Sequence, residues 1–154
     1  MISRSLKISL SVGLLFLMLP IAAQAQWWQQ HPHYLHAMSD LRSAYWLIAH
    51  HETDDPAVNV EESRAMNQIR YAYQALKDAA IVDDRDIDAQ PPADMAWYDH
   101  RGRLHHALDL LNHARADVQG EEDDPAALGL RFRALRRINA AANATESAIQ
   151  AWRY

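Results

Sequence analysis

The clearest helical pattern in the chain lies at residues 98–118, which read YDHRGRLHHALDLLNHARADV. Apolar residues recur there at three- and four-residue steps, namely Leu104, Ala107, Leu108, Leu111, Ala114 and Val118. A helix that buries one face and exposes the other has this spacing. Gly120 follows, and glycine is the usual residue at the left-handed turn that ends a helix. We therefore predict an amphipathic helix over 98–118 with a left-handed cap at Gly120.

Three other segments show the same periodicity. The first predicted helix covers residues 33–51, with an apolar stripe made of Tyr34, Met38, Leu41, Tyr45 and Ile48. The second covers residues 59–80. The last follows Asp124 as N-cap and Pro125 as first helical residue, and its near-heptad stripe is interrupted at Arg131. Short connections after the first and third helices favour antiparallel neighbours. The predicted fold class is all-α, an antiparallel up-down-up-down four-helix bundle.

The start of the chain has the three parts of a secretory signal peptide. Arg4 and Lys7 are followed by an apolar run over residues 8–21 and by the small-residue exit Ala23-Gln24-Ala25. The run is shorter than the roughly 20 residues that a membrane-spanning helix needs. We predict a cleaved signal peptide over 1–25, a single helical-bundle domain over 26–154 without a transmembrane segment, and a periplasmic or secreted location after cleavage behind Ala25.

Composition excludes several classes of protein. The chain has no cysteine, so it has no disulfide, no lipid-modified cysteine and no c-type haem. Removing the signal peptide takes away two of the 15 basic residues and none of the 20 acidic ones, which leaves 13 minus 20, or -7, with histidine neutral. An acidic surface repels phosphate backbones, so we expect no nucleic-acid partner.

The nine histidines suggest a metal site. In an up-down-up-down bundle the first and third helices start at the same end, which would gather His31, His33, His36, His100, His105 and His106. Imidazole and carboxylate groups suit divalent zinc, nickel or copper, so a divalent transition metal is the candidate cofactor at this end, and no cofactor is required by the sequence. The competing interpretation is a solvated polar face, because His105, Asp109, His113 and Asp117 lie opposite the apolar stripe of their helix.

No catalytic motif is present, and four glycines leave little room for the loops that such motifs use. We therefore expect no enzyme. The leading hypothesis is a non-catalytic periplasmic bundle that acts by surface binding, with a periplasmic protein partner, or as a structural component of the envelope. The alternative hypothesis is divalent metal binding or buffering by histidine and aspartate side chains.

The segment His31-Pro32-His33-Tyr34-Leu35-His36-Ala37 resembles the opening of a group of small exported bacterial proteins of unknown function. The likeness continues at Pro91-Pro92, at Gly102-Arg103-Leu104-His105 and at Arg133-Ala134-Leu135-Arg136-Arg137-Ile138. The resemblance implies a helical bundle and brings no assigned activity. Where the group has His-Ile-Asp, this chain has Arg137-Ile138-Asn139, so any metal ligand that this histidine provides in the group is missing here.

Overall fold

Four α-helices make up most of the computed structural model, which describes residues 33–50, 55–96, 99–120 and 125–152. They are α1 (His33–Ala49), α2 (Pro56–Val82), α3 (His100–Gly120) and α4 (Leu128–Ala151), with one short 3₁₀ turn at Ile87–Ala89. The described ranges contain no strand. The prediction of an all-helical fold with four helices is therefore confirmed. The predicted signal peptide and its cleavage site lie outside the described residues.

Local capping explains where α2 begins and ends. Asp55 accepts a hydrogen bond from the Ala57 backbone N–H at 2.8 Å, and proline occupies the first helical position. At the other end Asp84 has a φ of 54°, and the Arg85 N–H donates to the Ala80 carbonyl at 2.8 Å. This is the left-handed C-terminal motif in which glycine is the usual residue. The helix is longer at both ends than the predicted 59–80.

The C-terminal cap of α3 differs from the prediction. Gly120 belongs to the helix, and no glycine within the described ranges has a positive φ, so the predicted left-handed cap is wrong. Instead Arg131 donates from Nε to the Val118 carbonyl at 2.9 Å and from Nη2 to the Gln119 carbonyl at 2.7 Å. A positive side chain on the free carbonyls of a helix end is stabilising. The interruption of the α4 stripe at Arg131 therefore caps the preceding helix.

The start of α4 also differs from the prediction. The helix begins at Leu128, after a turn over residues 125–127, and the Leu130 N–H donates to the Ala127 carbonyl at 2.9 Å. Pro125 is therefore in the turn and is not the first residue of the helix. The predicted N-cap, Asp124, lies outside the described residues.

Neighbouring helices run antiparallel, but their order is not the predicted one. The helix α1 packs against α2 and α3, and α4 packs against the same two. His33 at the start of α1 lies 3.5 Å from Asp117 near the end of α3, so these helices are antiparallel. Arg137 of α4 donates to Gln68 of α2 at 3.0 Å. The order is up-down-down-up, and the up-down-up-down prediction is wrong.

The connection between α2 and α3 causes this difference. We call residues 83–99 the crossover, because it starts at the end of α2 and must reach the opposite end of the bundle, where α3 begins. The distance is the length of α3, whose 21 residues extend about 32 Å at 1.5 Å each. A chain of this length spans that distance when extended. Bundles with one such long connection are a known alternative to the up-down-up-down type.

Two serines attach the crossover to the outer side of α1. Ser39 Oγ donates to the Pro92 carbonyl at 3.2 Å, and Ser43 Oγ accepts from the Asp94 N–H at 2.7 Å. The Ser43 hydroxyl also donates to the Ser39 carbonyl at 3.1 Å. Farther back, Gln90 Nε2 donates to the Ile87 carbonyl at 2.6 Å. The crossover thus covers the side of α1 that faces away from the core.

The core combines two kinds of packing. Where α2 meets α4, most of the buried residues are small, including Ala72, Ala75, Ala79, Ala141, Ala144 and Ala148. Alanine lets two helix backbones approach closely, in agreement with α2 and α4 being the most extensive helix pair. The α1 and α3 side is filled by larger residues such as Leu35, Met38, Leu47, Leu104 and Leu111. None of the described helices has the length and apolar character needed to cross a bilayer.

Candidate functional site

The histidines of the predicted metal site lie at different levels of the bundle. His33 Nδ1 lies 3.5 Å from Asp117 Oδ1, whereas His106 Nε2 lies 3.6 Å from Asp94 Oδ2 on the crossover. Positions 106 and 117 of one helix are about 16 Å apart along its axis. Zinc–nitrogen bonds are only about 2 Å long, so His33 and His106 do not share an ion. The predicted grouping of His33 with His106 at one end followed from the predicted helix order, and it is wrong.

The remaining members of the predicted set do not form a cluster either. His36 is half-buried on α1, and His105 is exposed with Nδ1 2.8 Å from the Arg101 carbonyl. His100 begins α3, and its side chain and His31 lie outside what the structure describes. Among the described residues, no group of three or more histidine, aspartate or glutamate side chains is placed to hold a metal ion.

Polar side chains do meet along the seam between α1 and α3. Asp40 of α1 is half-buried there. Burial and the nearby Asp117 carboxylate raise its pKa to about 6, and His113 and His106 oppose this increase. The predicted solvated face of α3 is therefore correct only in part. His105, Asp109 and His113 are exposed, whereas Asp117 is half-buried and interacts with α1.

A more promising site lies on the other side of α1. A cavity of about 500 Å³ opens between α1, α2 and the crossover. We call it the groove, and its described lining consists of Leu41, Arg42, Tyr45, Trp46, Ile69, Arg70, Tyr73 and Met95. Cavities of roughly 300 to 1,000 Å³ are typical of sites for small organic molecules. The groove is therefore of a suitable size for such a ligand.

The groove has an apolar floor and partly exposed walls. Leu41 and Ile69 form the floor and are 0% and 2% exposed. Tyr45 and Met95 in the walls are 36% and 52% exposed. Tyr45 therefore does not belong to the buried stripe predicted for the first helix. The Trp46 ring lies 4.3 Å from the His50 ring, centroid to centroid. Apolar side chains that remain open to solvent around a cavity are available to an occupant.

Two arginines carry the charge of the groove. Arg42 lies on α1 and Arg70 on α2, and both are exposed. Arg70 Nη2 donates to Asn67 Oδ1 at 2.7 Å, and Arg42 has no ion pair with any described residue. No carboxylate is among the described lining residues. The guanidinium group stays protonated at all physiological pH values, so this part of an acidic protein is positive.

A second, smaller cavity lies between α2 and α4. It has a volume of about 140 Å³ and contains both Arg133 and the carboxylate of Asp78. Its other arginine, Arg137, already lies 5.1 Å above the Tyr71 ring. This cavity is too small for most ligands, and Asp78 within it already accepts a hydrogen bond from Gln74 Nε2 at 2.7 Å. The groove is the stronger candidate site.

No family model matches this chain. Neither the curated proteins nor the solved structures gave a match.

The sequence interpretation missed the groove because the crossover forms one of its walls. Met95 lies between the second and third predicted helices, and no periodic pattern shows which helix such a segment covers. One local signal was available. Ser39 and Ser43 are four residues apart, on the same side of α1, and both are buried, at 5% and 1% exposed. Buried hydroxyls need hydrogen-bond partners, which the crossover and α1 itself provide.

Proposed function

We propose that this chain is an exported, non-catalytic binding protein that engages its ligand in the groove. The apolar groove with two arginines is the single observation that carries the binding role. The export part of the proposal is supported by the signal-peptide pattern that ends at Ala25. The absence of a nucleophile motif or phosphate loop from the sequence supports a role without catalysis.

The size of the groove favours a small ligand over a protein partner. A stable protein interface covers about 800 Å² on each partner, over some 20 to 30 residues. The groove offers eight described lining residues around one cavity. A protein partner would have to use much more of the surface than the groove provides. We therefore assign the groove to a small molecule, and a protein partner becomes an outcome of the test.

Methionine methyl groups provide a direct test. Of the five methionines, Met1 and Met18 are in the predicted signal peptide, so three remain in the mature chain. Met95 lies in the groove at 52% exposure, whereas Met38 is fully buried in the core. We would label the methyl groups with carbon-13 in residues 26–154 and screen a library of small molecules by NMR. Ligands are expected to move the Met95 signal and leave Met38 unchanged.

A pair of tyrosine variants separates the groove from the general surface. Tyr45→Ala removes a groove wall, and Tyr71→Ala removes an exposed tyrosine of α2 that does not line it. Binding is expected to weaken in the first variant and to persist in the second. Ligands that move no methionine signal, or that bind both variants equally, would show that the groove is not the binding site. Saturable binding of a purified periplasmic protein with no small ligand would favour the protein partner.

A further inference from the structure

We propose that the ligand of the groove is a small organic anion, with a carboxylate or sulfonate group attached to a flat apolar body. This inference rests on the proposed binding function and specifies the ligand class. The negative group lies between Arg42 and Arg70, and the apolar body lies on the floor and against the aromatic walls.

The two arginines provide recognition of the negative group. They line one cavity from two different helices, Arg42 from α1 and Arg70 from α2. A guanidinium group presents several N–H donors in a plane and binds carboxylate-like groups with two parallel hydrogen bonds. The described lining holds no acidic side chain that would neutralise them. A cationic ligand would be repelled here, and a neutral ligand would leave both charges without a counterion.

The remaining lining provides recognition of a flat apolar body. Tyr45 and Trp46 come from α1 and Tyr73 from α2, so three aromatic side chains surround the cavity. Aromatic rings pack well against flat ligands, with a preference for offset or edge-to-face contacts. Met95 is unbranched and polarisable, and such a side chain adapts to ligands of different shape. Leu41 and Ile69 complete an apolar floor.

The negative charge of the whole chain makes the groove the place where an organic anion binds. The complete chain has a formal charge of -5 with histidine neutral, because 20 acidic residues exceed 15 basic ones. Most of the surface therefore repels an organic anion, and the groove is a local exception that attracts it. Because the field comes from exposed guanidinium groups, salt is expected to weaken the binding of the anion and not that of a neutral analogue.

Two probes with nearly the same apolar body test this inference. Anilinonaphthalene sulfonate is anionic, and N-phenylnaphthylamine lacks the sulfonate. Both would be titrated into residues 26–154 by calorimetry while the methionine methyl signals are followed by NMR. The anion is expected to bind about tenfold more tightly than the neutral probe, the factor that one additional charge-assisted contact provides. Both probes are expected to move Met95, and an unchanged Met38 signal shows that the core stays folded.

Arginine variants identify the source of the selectivity. The double variant Arg42→Gln with Arg70→Gln is expected to bind the anion about tenfold more weakly and the neutral probe as before. Arg136→Gln is the matched control, because Arg136 is an exposed arginine of α4 outside the groove. It is expected to change neither affinity. Glutamine keeps most of the apolar stem and hydrogen-bonding capacity, so a loss of affinity reports the charge.

The possible failures are distinct. Equal affinities of the two probes, or anion binding that survives the double variant, would overturn the anion assignment while leaving the groove as a binding site. Failure of both probes to move Met95 would overturn the anion assignment and the use of the groove together. Displacement of the anion only by a long acidic peptide, and by no small carboxylate, would show that the ligand is a peptide.

Discussion

Asp40 is a half-buried acid whose surroundings favour its protonated form. Its carboxyl is half-buried between α1 and α3, and burial together with Asp117 raises its pKa from 3.8 to about 6. The folded state therefore binds a proton more tightly than the unfolded state does. This contribution to stability is fully present below about pH 4 and is lost as the pH rises towards 6. At neutral pH the ionised Asp40 destabilises the fold.

We predict that Asp40→Asn stabilises the protein at neutral pH. The free energy of unfolding is expected to rise by roughly 1 to 2 kcal/mol near pH 7.5, after allowance for solvent screening of a partly exposed group. The gain is expected to decrease towards about pH 4, where the wild-type carboxyl is protonated in the folded state. Denaturant unfolding at the two pH values measures this gain in stability.

The control is Asp109→Asn, at an exposed position of α3. A gain that does not depend on pH would contradict the explanation.

A second residue-scale prediction concerns Asp84, which has a left-handed backbone at the end of α2. Glycine adopts this conformation without steric cost, whereas for other residues the conformation costs up to about 1 kcal/mol of free energy. Asp84→Gly is therefore expected to raise the free energy of unfolding by about 0.5 to 1 kcal/mol, measured by denaturant unfolding. Asp86→Gly is expected to lower it, because Asp86 caps the 3₁₀ turn by accepting from the Asp88 N–H at 3.0 Å. A loss at Asp84 would mean that its carboxylate stabilises the cap.

At the scale of elements, the sequence predicted what depends on neighbouring residues and missed what depends on distant ones. The stripe of α3 was correct, since all of its members are buried except the half-buried Leu108. Periodicity is a local property, so it survives in the fold. The predicted cap at Gly120 failed because Arg131, from the next helix, occupies the carbonyls that a left-handed turn would have satisfied. Likewise, the residues next to Met95 in the sequence do not show that Met95 lines the groove.

Arg131 provides the element-scale prediction. A pattern-based design would replace it with leucine to complete the apolar stripe of α4. We expect Arg131→Leu to lower the free energy of unfolding by about 1 to 2 kcal/mol, because the Val118 and Gln119 carbonyls lose their donors. Hydrogen exchange should also become faster in the last turn of α3. Arg136→Leu, at an exposed position, should have little effect. Increased stability in Arg131→Leu would show that the apolar pattern outweighs the cap.

At the scale of the molecule, the crossover determines which helices are neighbours. The number of helices was predicted correctly because each helix follows from its own periodic pattern. Their order was predicted wrongly because it depends on the path of the crossover. The grouping of the six predicted metal ligands depended on that order, and the groove could not be found from the sequence because the crossover forms one of its walls. The helix order can be tested with pairs of residues that are close together in the up-down-down-up order and far apart in the up-down-up-down order.

The absence of cysteine makes such a test simple. His33→Cys combined with Asp117→Cys is expected to react with a short bismaleimide to give an intramolecular cross-link, because these side chains lie 3.5 Å apart. His33→Cys combined with His105→Cys is expected to give none, although the up-down-up-down order would place both positions towards the same end of the bundle. Mass spectrometry of the digested protein identifies the cross-link. The opposite result would restore the predicted order.

The path of the crossover also governs the sequence of events during synthesis. The helix α1 is the first of the four to be made, yet its contacts with Pro92 and Asp117 lie 53 and 117 minus 33, or 84, residues later. At synthesis rates of roughly 5 to 20 residues per second, the more distant partner arrives about 4 to 17 seconds after His33. The helix that is made first is therefore enclosed only after most of the chain has been made, and α2, which also packs against α4, waits longer still.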